Sequence, residues 1–213
     1  MALDPEDLTY WYFRLNGFFT IPKFVVHPDH GGRQRTDIDV LGIRLPHRRE
    51  LSLEPMVDDH VFTNVGDKAF VAITEVKMDV INFNQTWLDS EQRNVERILF
   101  AAGPFAPERV ANVAQEIYAR GCFVSDDFYH VSLVGVGRRK NIELQGVLPG
   151  ALQITWTDIG RFVFCRFCHH SDQKRDHPQW DETGRQLWNM WRQNEDDEEG
   201  FCAAVLREVT QGQ

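Results

Sequence analysis

A mixed α/β fold built on one main domain is what this sequence predicts, and three observations predict it. Segments with apolar residues at helical spacing stand among segments rich in branched and aromatic residues. The two kinds follow one another as helix, three strands, helices and another strand, which is not the strict alternation of a βαβ chain. At 213 residues, 42% hydrophobic and 12% aromatic, the chain suffices for one substantial core and shows no bias toward disorder or a disulfide scaffold.

The elements are read in chain order. Residues 5–15 form a first helix: Pro5 suits an early helical position, Asp4 is placed to cap, and Leu8, Trp11, Tyr12 and Leu15 recur at helical spacing. Gly17 ends it, and residues 18–26, aromatic and branched, read as a strand bordered or broken by Pro22. Pro28, Gly31 and Gly32 mark a turn region before a second strand at 36–45. A third strand covers 69–78, after a long connection at 46–68 with few periodic cues. From Thr86 the pattern turns helical through Trp87, Val95, Ile98 and Leu99 to a stop at Gly103-Pro104. Pro107 opens another helix, closed near Gly121, and residues 130–137 alternate as a strand. Further strands are expected at 152–156 and 161–167, and helices at 183–192 and 201–209.

The acidic N-terminus does not read as a secretory signal, and no apolar run approaches the ~20 residues of a membrane span. Four cysteines, Cys122, Cys165, Cys168 and Cys202, are then expected as reduced thiols in a cytoplasmic protein. A net charge of −9 argues against a strongly basic nucleic-acid binder, but Glu195, Asp196, Asp197, Glu198 and Glu199 supply five of those charges, leaving −4 for the remainder. Basic clusters at Arg33/Arg35, Arg44/Arg48/Arg49 and Arg138/Arg139/Lys140 are candidates for phosphate contacts if the fold gathers them; taken singly, each is as well read as a solvated strand end.

Alternation across a strand places Asp37, Asp39, Leu41 and Ile43 on one face of the second strand and Val71, Ile73, Glu75 and Lys77 on one face of the third. Antiparallel pairing of the two brings Asp37 and Asp39 beside Glu75 and Lys77, with the aliphatic halves continuing the core. Neighbouring strands lie about 4.8 Å apart, close enough for such carboxylates to share one ion. Carboxylates aimed at a core are costly unless paired or metal-bound, and one lysine does not neutralise three acids. A hard cation does: Mg2+ takes oxygen ligands, keeps several waters and uses one or two carboxylates plus substrate phosphate.

The stretches Thr36-Asp-Ile-Asp-Val-Leu-Gly-Ile43 and Ile73-Thr-Glu-Val-Lys77 resemble the PD-(D/E)xK restriction-endonuclease-like nuclease superfamily, over roughly residues 3–137. The resemblance implies a restriction-endonuclease-like core, a central mixed β-sheet flanked by helices, at 1–140, with a C-terminal extension at 141–213 of strands, an acidic loop and a terminal helix packed on it. It implies an Mg2+-dependent endonuclease, with Mn2+ as a possible substitute, hydrolysing phosphodiester bonds of DNA by in-line attack of a metal-bound water to leave 5′-phosphate. Asp39 and Glu75 become metal ligands and Lys77 the water-positioning residue. Val76 lends its backbone carbonyl to the metal, and Asp37 and Glu6 are weaker candidate ligands. Ile38 stands where the superfamily's proline would, and the 36-position gap from Asp39 to Glu75 makes 46–68 an insertion or specificity loop. Restriction, phage defence and repair all use this fold, and a small single-domain nuclease could form a homodimer to cut both strands or take a protein partner. The competing reading is a catalytically inactive nuclease-fold module that binds protein or nucleic acid.

Other signals are weighed lower. Cys165-Arg-Phe-Cys168-His169 has the spacing of covalent haem attachment, which does not suit a cytosolic chain. Zinc on Cys165, Cys168, His169 or His170, and His177 fits tetrahedral chemistry but lacks a second matched pair, so core cysteines and strand-end histidines are preferred. Trp180, Trp188 and Trp191, with Arg185 and Arg192, are read as a helix face packed on the core before they are read as base-stacking groups. The acidic run is read as a solvated loop that could also mimic phosphate against a basic groove.

Overall fold

A computed structural model describes residues 2–31, 36–125, 128–175 and 180–211 of the chain. The elements are α1 (Pro5–Leu15), β1 (Phe19–Val26), β2 (Thr36–Arg44), α2 (His60–Thr63), β3 (Ala69–Val76), α3 (Gln85–Leu88), a 3-10 turn (Ser90–Gln92), α4 (Asn94–Ala102), α5 (Pro107–Arg120), β4 (Cys122–Val124), β5 (Tyr129–Gly137), α6 (Ile142–Val147), β6 (Leu152–Thr155), α7 (Trp156–His169), α8 (Ser171–Lys174), α9 (Glu182–Arg192) and α10 (Glu198–Thr210).

Six strands make one mixed sheet in the order β1-β2-β3-β5-β4, with β6 also on β5. The pairs β1/β2, β2/β3 and β4/β5 are antiparallel, and β3/β5 and β5/β6 are parallel. β4 and β6 share one edge of β5, the first along His130–Ser132 and the second along Val134–Gly137. β3 is central and buried on both faces from Ala69 to Glu75, as its almost unbroken apolar run requires.

Helices cover both faces. Val40, Phe70, Ala72, Val134, Val136 and Ile154 pack with residues of α1, α7, α9 and α10. Leu41, Val71, Ile73, Val131 and Leu133 pack with residues of α4 and α5 on the other side. The first layer holds an aromatic cluster in which Phe18, Phe62 and Phe70 meet edge to face, at centroid separations of 4.8 Å for Phe18–Phe62 and 5.3 Å for Phe62–Phe70. The described residues from 141 onward are continuous with this layer, because β6 extends the sheet and α7 packs on α1. No helix among the described residues is long and apolar enough to cross a membrane.

Several expectations are corrected. The strand expected at 161–167 lies inside α7. A capping box, in which the Asp158 N–H donates to Thr155 Oγ1 and the Thr155 N–H to Asp158 Oδ2, starts that helix. Ile159, Val163 and Phe167 then fall on its buried face, a 3.6-residue period that the density of phenylalanines disguised. Among its described residues the C-terminal extension therefore holds one strand, β6, and the helices α6 to α10. Its acidic run is not simply a loop: Asp197 caps α10 through the Gly200 N–H at 2.9 Å, and Glu198 and Glu199 form that helix's first turn. The helix expected from Thr86 to Gly103 is three pieces, interrupted at Arg93 with φ +55°. The 46–68 connection carries α2 and is pinned by charge. Asp58 binds Arg44, Arg48 and Arg166, and Glu50 binds Arg48 and Lys174, so Arg44 and Arg48 are consumed internally rather than free for phosphate. Trp180 and Trp191 are buried, and Trp180 packs edge-on against Trp11 with centroids 5.1 Å apart, as the core reading required.

Candidate active site

β2 and β3 run antiparallel with Val40 opposite Thr74 as the last pair of the ladder, so Asp39 and Glu75 come next to one another at its open end. The Val76 N–H donates to Asp39 Oδ2 at 2.6 Å, tying Asp39 to the backbone between Glu75 and Lys77. Lys77 Nζ meets Glu75 Oε1 at 2.5 Å and donates to Asn84 Oδ1 at 3.0 Å. The Asn84 N–H in turn donates to Glu75 Oε2 at 2.8 Å, closing a ring of three hydrogen bonds. Asn84 is a residue the sequence reading missed; the one local signal was an asparagine standing just before a helical segment.

Packing explains how Asn84 reaches the strand end. After β3 the chain continues parallel to β5 as far as Arg139, with the Lys77 N–H on the Val136 carbonyl and the Ile81 N–H on the Arg139 carbonyl, and only then returns to bring Asn84 to Glu75. Ile81 and Phe83 are buried in the α4/α5 layer against Gly135, where a Cβ would collide with Ile81. The missing side chain at Gly135 thus seats the return segment and delivers Asn84 to Glu75.

Asp37 and Glu6 join less closely. Ile38 packs into the layer that holds Leu41 and Ile73, whereas Val40 packs into the other, so side-chain alternation breaks at Asp39. Across from the break, between the pairs Pro22–Val40 and Phe24–Ile38, Lys23 has φ +54°. Asp37 accordingly does not share a face with Leu41 and Ile43 as expected; it is exposed and acts on Asp39 and Glu6 through its charge. Glu6, on the first turn of α1, lies 3.7 Å from Lys23 Nζ.

Electrostatically the corner is strained toward protonation. Burial lifts the Glu75 carboxyl above the usual range and the Asp39 charge adds to this, while the Lys77 amine and the Asn84 N–H pull back. Burial also raises Asp39, opposed first by the Val76 N–H and reinforced by Asp37. Glu6 is raised by burial and then by Asp39. Such a cluster favours a proton or a cation. Among the described residues no group of three or more His, Cys, Asp and Glu side chains is arranged to hold a metal ion. Asp39 and Glu75 are the two carboxylates adjacent at this strand end, too few to cage an ion by protein alone; an ion held by such a pair would keep several waters, as Mg2+ does.

The remaining candidates are placed elsewhere. Cys165, Cys168 and His169 lie along α7, Cys168 Sγ accepts the Trp191 indole N–H at 3.3 Å, and His177 is outside the described residues. Of the basic clusters, Arg33/Arg35 is outside the described residues, Arg139 is paired with Asp79, Lys140 lies 3.6 Å from Asp158, and Arg138 is exposed just beyond the end of β5. A cleft of about 770 Å³ between α1, α2 and α7, lined by Tyr12, Asp59, His60, Phe162 and Cys165 among others, does not include Asp39, Glu75 or Lys77. Comparison with family models, curated proteins and solved structures finds no match for this chain.

Proposed function

We propose that the chain is a metal-dependent nuclease with a restriction-endonuclease-like core, hydrolysing phosphodiester bonds of DNA. The observation that carries the reading is the Val76 N–H bond to Asp39, which fastens one acid beside the Glu75-Val76-Lys77 triplet at the end of the two adjacent strands. Asp39 and Glu75 would hold Mg2+ together with the Val76 carbonyl, and Lys77 would orient the attacking water. Mg2+ bound there supplies a lowered water pKa and charge stabilisation at the scissile phosphate. Attack in line with the departing 3′-oxygen leaves a 5′-phosphate, as in the superfamily the sequence resembles. Arg138, exposed beyond the end of β5, which is paired in parallel with β3, is suited to the flanking phosphates.

The test is incubation of the full chain with plasmid, linear and single-stranded DNA, with and without Mg2+. Cleavage that requires Mg2+ and is lost in Lys77→Ala is the expected result. Cleavage by Lys77→Ala at the wild-type rate, or none by the wild type with Mg2+ or Mn2+, overturns the reading. The net charge of −9 favours a second reading, an inactive nuclease-fold module that contacts a protein partner. That module binds neither ion.

A further inference from the structure

Asn84 occupies the N-cap of α3 with φ −60° and ψ 147°, the backbone conformation of a capping residue, yet its side chain makes no hydrogen bond to the helix. Asparagine is favoured at N-caps because its oxygen accepts the free N–H groups of the first turn. Here that oxygen is turned away and accepts from Lys77 Nζ at 3.0 Å. The diversion needs a reason, since the helix forgoes a bond it was placed to make.

We infer that Asn84 is a positioning residue for Lys77, keeping the amine at the strand end once the Glu75 carboxylate turns to a cation. Lys77 has two acceptors, Glu75 Oε1 and Asn84 Oδ1. A carboxylate that coordinates a cation is a weaker acceptor for an ammonium group, and the cation repels that group. The Lys77 side chain is 29% exposed, so without a second acceptor its flexible stem is free to swing into solvent. The Asn84 amide oxygen is neutral, and the segment that carries it is seated by buried Ile81 and Phe83 against Gly135 as well as by its N–H on Glu75 Oε2, so it is suited to retain the amine in both states. The consequence for catalysis rests on the nuclease reading; the hold on Lys77 rests on geometry alone.

The two are separable by experiment. With lysine 13C-labelled in the full chain, five residues report: Lys23, Lys68, Lys77, Lys140 and Lys174. In Glu75→Ala the Lys77 ε-methylene protons should remain distinct from each other in NMR spectra, because Asn84, still seated by the packing of Ile81 and Phe83 against Gly135, holds the amine. In Glu75→Ala/Asn84→Ala they should merge. Identical Lys77 signals in the two variants overturn the inference whatever the protein's activity. Because the side chain does not cap α3, Asn84→Ala is expected to melt with the wild type, and circular dichroism checks this. For the Mg2+-supplied wild type, Asn84→Ala should lower kcat by about 10- to 100-fold, the range for groups that orient a first-line ligand, with KM within about twofold. Asn84→Asp, which keeps an acceptor oxygen, should restore most of it. An unchanged kcat in Asn84→Ala overturns the catalytic role, whereas a wild type that cleaves nothing sinks the nuclease reading and leaves the Lys77 comparison to decide for Asn84.

Discussion

Replacing Asp58 by asparagine should destabilise this protein more than replacing any surface acid. The Asp58 carboxylate is 4% exposed and receives Arg44 at 2.7 Å, Arg48 at 2.5 Å and Arg166 at 3.1 Å. Arg44 and Arg166 are themselves 6% and 1% exposed, so neither is free to take up water in exchange. Burial already depresses the Arg166 pKa, and Asp58 is the first group that opposes this. Two acids, Asp58 and Glu50, serve four cations here, Arg44, Arg48, Arg166 and Lys174, so loss of one acid leaves the cluster more cationic. Removing one partner of a buried pair costs about 3–5 kcal/mol, because the other charge stays buried and uncompensated. At about 2–4 °C per kcal/mol for a chain of this size, the melting temperature of Asp58→Asn should fall by roughly 10 °C. Differential scanning calorimetry at neutral pH measures it. Asp79→Asn is the internal control: Asp79 pairs with Arg139, but the two side chains are 57% and 64% exposed, and such solvent-screened pairs contribute little to stability. A loss at Asp58 no larger than that at Asp79 would refute the claim that this cluster fixes the 46–68 connection.

Two further outcomes follow from the site. Asp39 and Glu75 are both raised by burial, so the folded state holds their protons more tightly than the unfolded chain does. Stability therefore falls as pH rises from the ordinary carboxylate range through the raised folded pKa values, and the full penalty applies above them. Without divalent cation, Asp39→Asn and Glu75→Gln should melt higher than wild type at neutral pH and lose that advantage below the carboxylate range; equal pH profiles in thermal melts would contradict the assignment. Gly135→Ala drives a methyl group into Ile81, an overpacking change that typically costs about 1–3 kcal/mol. It should also loosen Asn84 from Glu75, seen as faster exchange of the Asn84 amide hydrogen; unchanged exchange would show that Ile81 does not seat the return segment.

How legible the site was depends on which link carried each residue. Strand periodicity and antiparallel pairing are local rules, and they located β2 and β3 and set Asp39 beside Glu75 and Val76. The break at Asp39 was not legible, since it depends on the backbone of Lys23 in the neighbouring strand, a residue type that gives no turn signal. Asp37 was consequently put on a face it does not occupy. Asn84 was hidden for a related reason: its role depends on Gly135, far along the chain, leaving room for Ile81. In α7, phenylalanine-rich composition outweighed the helical spacing of Ile159, Val163 and Phe167, and the Thr155/Asp158 capping pair was the signal that decides against a strand. The charged cluster around Asp58 joins residues over 100 positions apart, Arg44 and Asp58 with Arg166, which no local pattern connects.

The most direct test of the central claim is titration of Mn2+ into the full chain, followed by the loss of its free electron-spin-resonance signal, in wild type, Asp39→Asn and Glu75→Gln. The account predicts one saturable ion per wild-type chain and at least tenfold weaker binding in each variant. Wild-type protein that takes up no ion, or variants that bind as tightly as the parent, would contradict it.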